Sequence, residues 1–513
     1  MRPPIGLLLL AGAICALGAA PVVYLLAQAM ASAEAMPALL SARIAGLAGA
    51  SLGLAAVVAA GALLIAVPLA WLTALTDIPF PRALTALAVA PLAVPCYVGA
   101  SAMIASTSAG GALHETSRLL FGAAPPVVRG FWAGALVLIL FIYPLALLPI
   151  RAAMLRIDRA QIEAARSLGR GRLRTGVTVG FSQIAPALGA GALLVGLYAL
   201  SEFGAVSLLR CRTFTSVIYI QYQTFNRAGA AVSALALVTL IVTILALYEL
   251  LPRRRGSAQR AARPLRVALG RWRWPATLAP LGVAAISVGG VIVSLAQWLL
   301  QSPAEAIGSL PWRAVGASLA IGAGAAVAAI VAAGPIAILA ARHRTRIVGA
   351  IERMSFVGFG LPGIVIALGL GALSLHHATP FYQTWALVIL AMVILFLPQA
   401  VGAIRSPLEQ APGRLEEAAR SLGRSRAGAF FSITIPIARP GLVAGGLLVF
   451  ISAAKELPAT LLLAPAGSRT LATEVWRSTY EAMYAHAAVP ALLLIALSAA
   501  TVWLVTPRQE EAR

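Results

Sequence analysis

The chain has 513 residues, of which 60% are hydrophobic and only 11% charged, and its mean hydropathy is +0.90. A water-soluble domain carries about 25% charged residues, so a soluble enzyme or regulatory fold is excluded. The formal charge of +22 does not point to nucleic acid, because basic residues gather in the cytoplasmic loops of membrane proteins.

The chain opens MRPPIGLLLLAGAICALGAAP, with the basic start, apolar core and small residues of a secretory signal. The apolar stretch runs on to Ala27 and a matching segment occurs later, so an uncleaved first membrane helix is expected. Apolar runs near or beyond the ~18–20 residues that cross a bilayer as a helix then recur along the chain. They place spans at 5–29, 48–75, 83–106, 131–150, 186–207 and 231–251, then at 276–300, 314–341, 354–375, 386–404, 440–463 and 488–506. Gly, Pro and Ala scattered through these runs suit helices, which satisfy their own backbone hydrogen bonds in lipid, better than barrel strands. Between the two groups of six lies PRRRGSAQRAARPLRVALGRWRW (252–274), Arg-dense and interrupted by Pro. The expected fold is an all-α integral membrane protein of about twelve transmembrane helices. Two six-helix domains, 1–251 and 275–513, are joined by a basic linker.

Charge sets the orientation. With the N-terminus inside, the inner segments hold Arg2, Arg82, seven Arg in 151–183, eight in 252–274, four in 342–353, six in 405–439, and Arg508 and Arg513. These are 29 of the 39 basic residues, and the reverse orientation would break the positive-inside rule. Both termini are therefore expected in the cytoplasm. Six is even, so the halves share one orientation and form parallel repeats about an axis along the membrane normal.

The repeat is spelled out in the sequence. EAARSLGR occurs at 163–170 and again at 417–424, an offset of 254 that also pairs Pro186 with Pro440 and Glu202 with Glu456. Upstream, Pro95 pairs with Pro362 at an offset of 267, so the first half carries 13 more residues, which the outer loop STSAGGALHETSRLLFGAAPPVVRG (106–130) accommodates. In each copy a helix of about ten residues is expected, too short to be stable alone. The first starts at Asp158 with Gln161 placed for a capping box, and the second starts at Pro412. They stop at Gly169 and Gly423, the residue type that takes a left-handed C-cap. Ala164, Ala165, Ala418 and Ala419 keep one side slim, while Glu163, Arg166, Glu417 and Arg420 supply charge at i and i+3. An amphipathic loop helix explains one copy; two identical copies on one side of a two-fold body point to a two-fold partner.

These residues carry a resemblance. EAARSLG followed by SITIPIARPGL (432–442) resembles the EAA loop of binding-protein-dependent ABC importer permeases, with loops here at 158–183 and 412–440. The first copy departs from that pattern, with Ser182 where the second has Pro436 and Ala187 where it has Gly441. In that family the loop helix docks on an ATPase. The resemblance thus implies ATPase coupling through Glu163, Ala164, Ala165, Gly169, Glu417, Ala418, Ala419 and Gly423. It also implies a bacterial inner-membrane location, contact with membrane lipid, an ABC ATPase subunit dimer, and a periplasmic binding protein. Two fused halves are typical of the ferric-iron and thiamine importers of the family. LSEFGAVSLLRCRTFTSVIYIQY (200–222) and KELPATLLLAPAGSRTLATEVW (455–476) resemble the ferric-iron branch, implying a periplasmic ferric-iron-binding protein. A thiamine or other small-solute importer is the alternative.

Site chemistry is sparse. Glu202 lies 16 residues after Pro186, ~24 Å along a helix, toward the outer end of its span, and Glu456 is placed identically beside Lys455, the only lysine. Intramembrane carboxylates are costly and mark cavities or partners, so Glu202, Glu456 and Lys455 are pathway candidates, with a helix-packing ion pair as the other reading. Tyr219, Tyr222, Tyr480 and Tyr484 near outer loops have phenol oxygens that suit ferric iron, or serve as interfacial aromatics. His376–His377 is a poor spacing for chelation. Cys15, Cys96 and Cys211 show no CxxC spacing. No catalytic set, resident metal or cofactor is expected. The sole lysine does not sit in GxxxxGK[ST], so a separate chain would hydrolyse ATP. An ion-coupled secondary transporter would need more charge inside the bundle and gives no reason for the twin helices. A scaffold or membrane-bound enzyme lacks a nucleophile–base set.

Overall fold

The computed structural model describes residues 3–30, 37, 39–169, 171, 176–250, 267–303, 311–410 and 414–505. Pro412 and most of the expected linker, 252–266, lie outside the described residues. The described residues are helical apart from loops and one isolated bridge, Thr76 to Val267.

In the first half, α1 (Ile5–Met30) and α2 (Ala42–Leu75) are continuous despite Pro21 and Pro68. Next come α3 (Pro81–Val89), α4 (Cys96–Thr107) and α5 (Ala112–Phe121). The expected span 83–106 is not straight: its two arms meet at 83°. Pro91 and Pro95 lie at the corner, where missing N–H donors end one helix and fix the start of the next. A milder bend of 42° separates α6 (Phe131–Ile142) from α7 (Pro144–Met154), again at a proline. After α8 (Arg159–Ser167) and a π-helical turn at Gly176–Gly180 come α9 (Phe181–Ser201), α10 (Gly204–Leu208), α11 (Phe214–Gln223) and α12 (Arg227–Leu250).

The second half repeats this plan. It comprises α13 (Leu278–Ala284), α14 (Gly290–Gln301), α15 (Trp312–Arg342), α16 (Arg346–Ser355), α17 (Gly363–His377) and α18 (Trp385–Gln410). It continues with α19 (Arg414–Ser421), a π-helical turn at Phe430–Thr434, α20 (Ile435–Ala454), α21 (Pro458–Leu463), α22 (Leu471–Tyr480) and α23 (Tyr484–Val505). Nine helices among the described residues are long and apolar enough to cross a membrane, or eleven with the two bent pairs. The remaining expected span, 354–375, is represented by the shorter α17, which starts at Pro362 just as α4 starts at the matched Pro95.

The correspondence reaches individual contacts. Gly191 of α9 lies against Ala146 of α7, and Gly445 of α20 lies against Ala400 of α18, each pair 254 apart. Small residues of this kind let membrane helices close on one another without a conventional hydrophobic drive. The N–H of Phe214 donates to Ser51 Oγ at 3.1 Å and that of Leu471 to Ser318 Oγ at 2.9 Å. These contacts start α11 and α22, whose caps Thr213 and Thr470 both form capping boxes.

The two halves interlock. Helix α1 packs on α15 and α17 of the second half, where any side chain at Gly369 would strike the backbone of Pro21. Reciprocally α14 packs on α4, with Ser294 Oγ donating to the Ala102 carbonyl at 3.0 Å and Gln297 to that of Gly110 at 2.8 Å. A division of the sequence at 252–274 is therefore not a division in space: each half's first helix lies against the other half.

Candidate functional site

The octamer helices occupy matched places, α8 between α7 and α9 and α19 between α18 and α20. Asp158 caps α8, accepting from the Ala160 N–H at 2.9 Å. The capping box expected from Gln161 is not made; Gln183 of α9 instead accepts the Asp158 N–H at 2.8 Å. A side chain from the next span thus replaces the local partner. Gly169 and Gly423 have φ of 81° and 85°, the left-handed geometry that suits glycine at a helix end.

In both helices the second alanine of the motif, Ala165 or Ala419, is buried, while Glu163, Ala164, Glu417 and Ala418 face outward. Leu168 and Leu422, 82% and 85% exposed, stand at matched positions beyond them. Each helix therefore uses one alanine for packing and leaves the same glutamate, alanine and leucine exposed. Although Ser182 replaces Pro436, both loops pass through a matched π-helical turn into the next span.

The carboxylates mark a second site. The expected spans 186–207 and 440–463 are each interrupted, after Ser201 and after Ala454. Glu202 follows the end of α9 and its Oε1 accepts from the Ala205 N–H at 3.1 Å. Glu456 Oε1 accepts from the Ala459 N–H at 3.5 Å. Each carboxylate thereby caps the short helix that follows it, which hydropathy alone does not reveal. Thr215 donates to the Glu202 carbonyl at 2.7 Å and Thr460 to that of Glu456, holding both breaks open.

These breaks meet between the halves. The Tyr97 hydroxyl of α4 donates to the Lys455 carbonyl at 3.2 Å, and a side chain at Gly204 would run into Tyr97 and Leu457. Glu202, Lys455 and Glu456 are half-buried and close enough for their charges to act on one another. Among the described residues no carboxylate pairs with Lys455 within 4 Å. Cys96 and Tyr198 adjoin the same cluster, with Sγ and the phenol oxygen 4.0 Å apart. Tyr198 precedes Glu202 by one helical turn on α9, whereas Cys96 arrives from a segment about a hundred residues away, a proximity that the sequence does not show.

Elsewhere, aromatic rings bridge the halves. Tyr219 of α11 meets Trp476 of α22 edge-on at 5.6 Å, and Trp476 stacks on Tyr480 at 5.2 Å. Tyr484 lies 3.1 Å from Ser108 Oγ. His376 Nδ1 is 2.8 Å from the Ala372 carbonyl oxygen and Tyr24 packs edge-on against His377, so these rings serve helix packing. An open cavity of about 990 Å³ lies beside the first turn of α15 and includes Arg313, Arg469, Arg477 and His486.

Duplicated helical domains, matched helices with exposed faces and a charged break between the halves define a membrane permease built as an internal dimer. The family described as the binding-protein-dependent transport system inner membrane component matches residues 66–257 and again 333–506, and the chain belongs to it. It is 34% identical over 388 residues to the Fe(3+)-transport system permease protein FbpB 2 of Haemophilus influenzae, covering 74% of this chain and 76% of that one. A probable molybdenum ABC transporter permease of Haloferax volcanii is 35% identical over 149 residues, 29% of this chain and 54% of that protein. The molybdenum permease ModB of Escherichia coli K12 is 35% identical over 99 residues, 19% of this chain and 43% of its own length. The protein is thus an ABC importer permease, a multi-pass inner-membrane subunit.

Proposed function

We propose that this permease imports ferric iron delivered by a periplasmic ferric-iron-binding protein, and that a dimeric ATPase drives it by gripping α8 and α19. The observation that carries the coupling is the matched exposure of Glu163, Ala164 and Leu168 on one helix and Glu417, Ala418 and Leu422 on the other. A two-fold motor below would meet two equal handles, with Gly169 and Gly423 ending each one. Both termini and the 252–274 linker would lie in the cytoplasm, joining permease units 1–251 and 275–513, and the Arg313 cavity would open outside.

The iron assignment rests on the Fe(3+) permease relative, which aligns over three quarters of this chain, whereas the two molybdenum permeases align over less than a third. Chemistry agrees: Glu202 and Glu456 outnumber Lys455 at the junction, which suits a cation and opposes a molybdate-like oxyanion. Glu202, Glu456 and Lys455 would line the pathway. Uptake of radiolabelled ferric iron by cells whose other iron importers are deleted tests the assignment. Saturable uptake that excess molybdate or thiamine leaves unchanged is expected; uptake of molybdate or thiamine instead of iron would replace it.

A further inference from the structure

The two handles share an exposed face but are fastened to the bundle by different chemistry. In the second half one oxygen, Glu416 Oε1, accepts from the Arg342 guanidinium at 3.1 Å and from the Thr434 hydroxyl at 2.6 Å. Arg342 is the last residue of α15, and Thr434 directly precedes α20. A single side chain on α19 thus holds the ends of two spans.

The first half has none of these groups at the matched positions. The residues 254 before Glu416 and Thr434 are Ile162 and Gly180. Arg342 corresponds to Leu75 at the offset of 267 shown by Ser51 and Ser318. There Gln183 of α9 accepts the Asp158 N–H and donates to Gln161 at 3.4 Å, and the residues matching Asp158 and Gln183 are Pro412 and Ile437. Both handles are thus tied to the span that follows, α9 or α20, and the second is tied to α15 as well.

We propose that Glu416 is a positioning residue that carries movement of the second handle directly into α15. That helix runs unbroken for 31 residues, ~46 Å, from Arg342 to the turn that lines the Arg313 cavity. It packs on α18, on α20 and on α1. A pull at Glu416 reaches the far end of the bundle through one helix. The pair is 17% and 35% exposed on its two sides, and replacing both partners by apolar residues leaves no unpaired charge behind. Its work is mechanical. The inference rests on the coupling role proposed for α19.

The test is transport stoichiometry, solute moved per ATP hydrolysed, measured on the intact importer in proteoliposomes with radiolabelled ferric iron. Glu416→Ile and Arg342→Leu, each installing the residue of the first half, should lower the ratio about threefold or more, and the double variant should be no worse than the poorer single one. The exchanged pair, Arg342→Glu with Glu416→Arg, should restore most of the ratio. Melting temperature and ATPase association should stay at wild-type values, which separates positioning from folding. Unchanged stoichiometry in the single variants, additive losses, or an exchanged pair as poor as the singles would overturn the proposal. Glu417→Lys on the exposed face is the control: if it leaves ATPase association intact, the coupling reading itself falls. If it breaks association while the Glu416 variants transport normally, only the tie to α15 is lost.

Discussion

Glu202 and Glu456 each spend part of a carboxylate on the backbone of the helix that follows, and that divides their two roles. Glutamine keeps an oxygen for the cap but removes the charge, so Glu202→Gln with Glu456→Gln should leave the breaks formed. If the charges attract the cargo, the initial rate of iron uptake should fall about tenfold or more, ~1.4 kcal/mol in the barrier, with the amount of protein in the membrane unchanged. Equal uptake at equal abundance would remove both residues from the pathway. Their positions were legible in the sequence because carboxylates stand out in apolar runs. Their setting was not: one carboxylate in an apolar run does not by itself say that the helix ends at Ser201 and restarts at Gly204. Cys96 and Tyr97 come to the cluster only through tertiary packing, whereas Tyr198 sits one helical turn before Glu202 on α9.

For the short helices, local chemistry was a better guide. The octamer helices run over Arg159–Ser167 and Arg414–Ser421, close to the expected lengths, because capping residues and a left-handed glycine are encoded within a few positions. The error lay where a distant group won, as Gln183 took the N–H expected for Gln161. Long spans were legible as apolar runs, but the corner at Pro95 was hidden inside a stretch of uniform hydropathy. Gly423 gives this scale its test. A left-handed conformation costs a residue with a Cβ ~1–2 kcal/mol, which would loosen the last turn of α19, where Leu422 is exposed. Gly423→Asp together with Glu417→Lys should abolish uptake while insertion remains normal. Retention of the ATPase through affinity purification of that variant would count against the handle.

At the scale of the whole molecule, the interlock decides what can move. Helix α1 is covalently part of the first half, yet its neighbours include α15, α16 and α17, and Cys15 Sγ donates to the Ile351 carbonyl at 3.4 Å. Helix α14 likewise leans on α4 and α5. Two halves rocking as independent blocks would tear both contacts. A motion that keeps these contacts must carry α1 with the second half's α15 and α17, and must keep α14 seated between α4 and its own half's α23. The sequence division at 252–274 marks where the chain is joined and says nothing of this exchange, because periodicity reports which helices exist and not whom they meet. A divided chain tests the point. Residues 1–251 and 275–513 expressed together as separate polypeptides should assemble and restore uptake, since the contacts between them lie in the bundle. Residues 275–513 alone should be degraded, because the apolar faces of α15 and α17 that receive α1 would be left to lipid and Gly369 would face a gap. Adding back residues 1–41 as a third polypeptide alongside 42–251 should recover uptake only if α1 finds that groove. Stable accumulation of 275–513 without any first-half segment would show that the exchanged helix is not needed to build the second half.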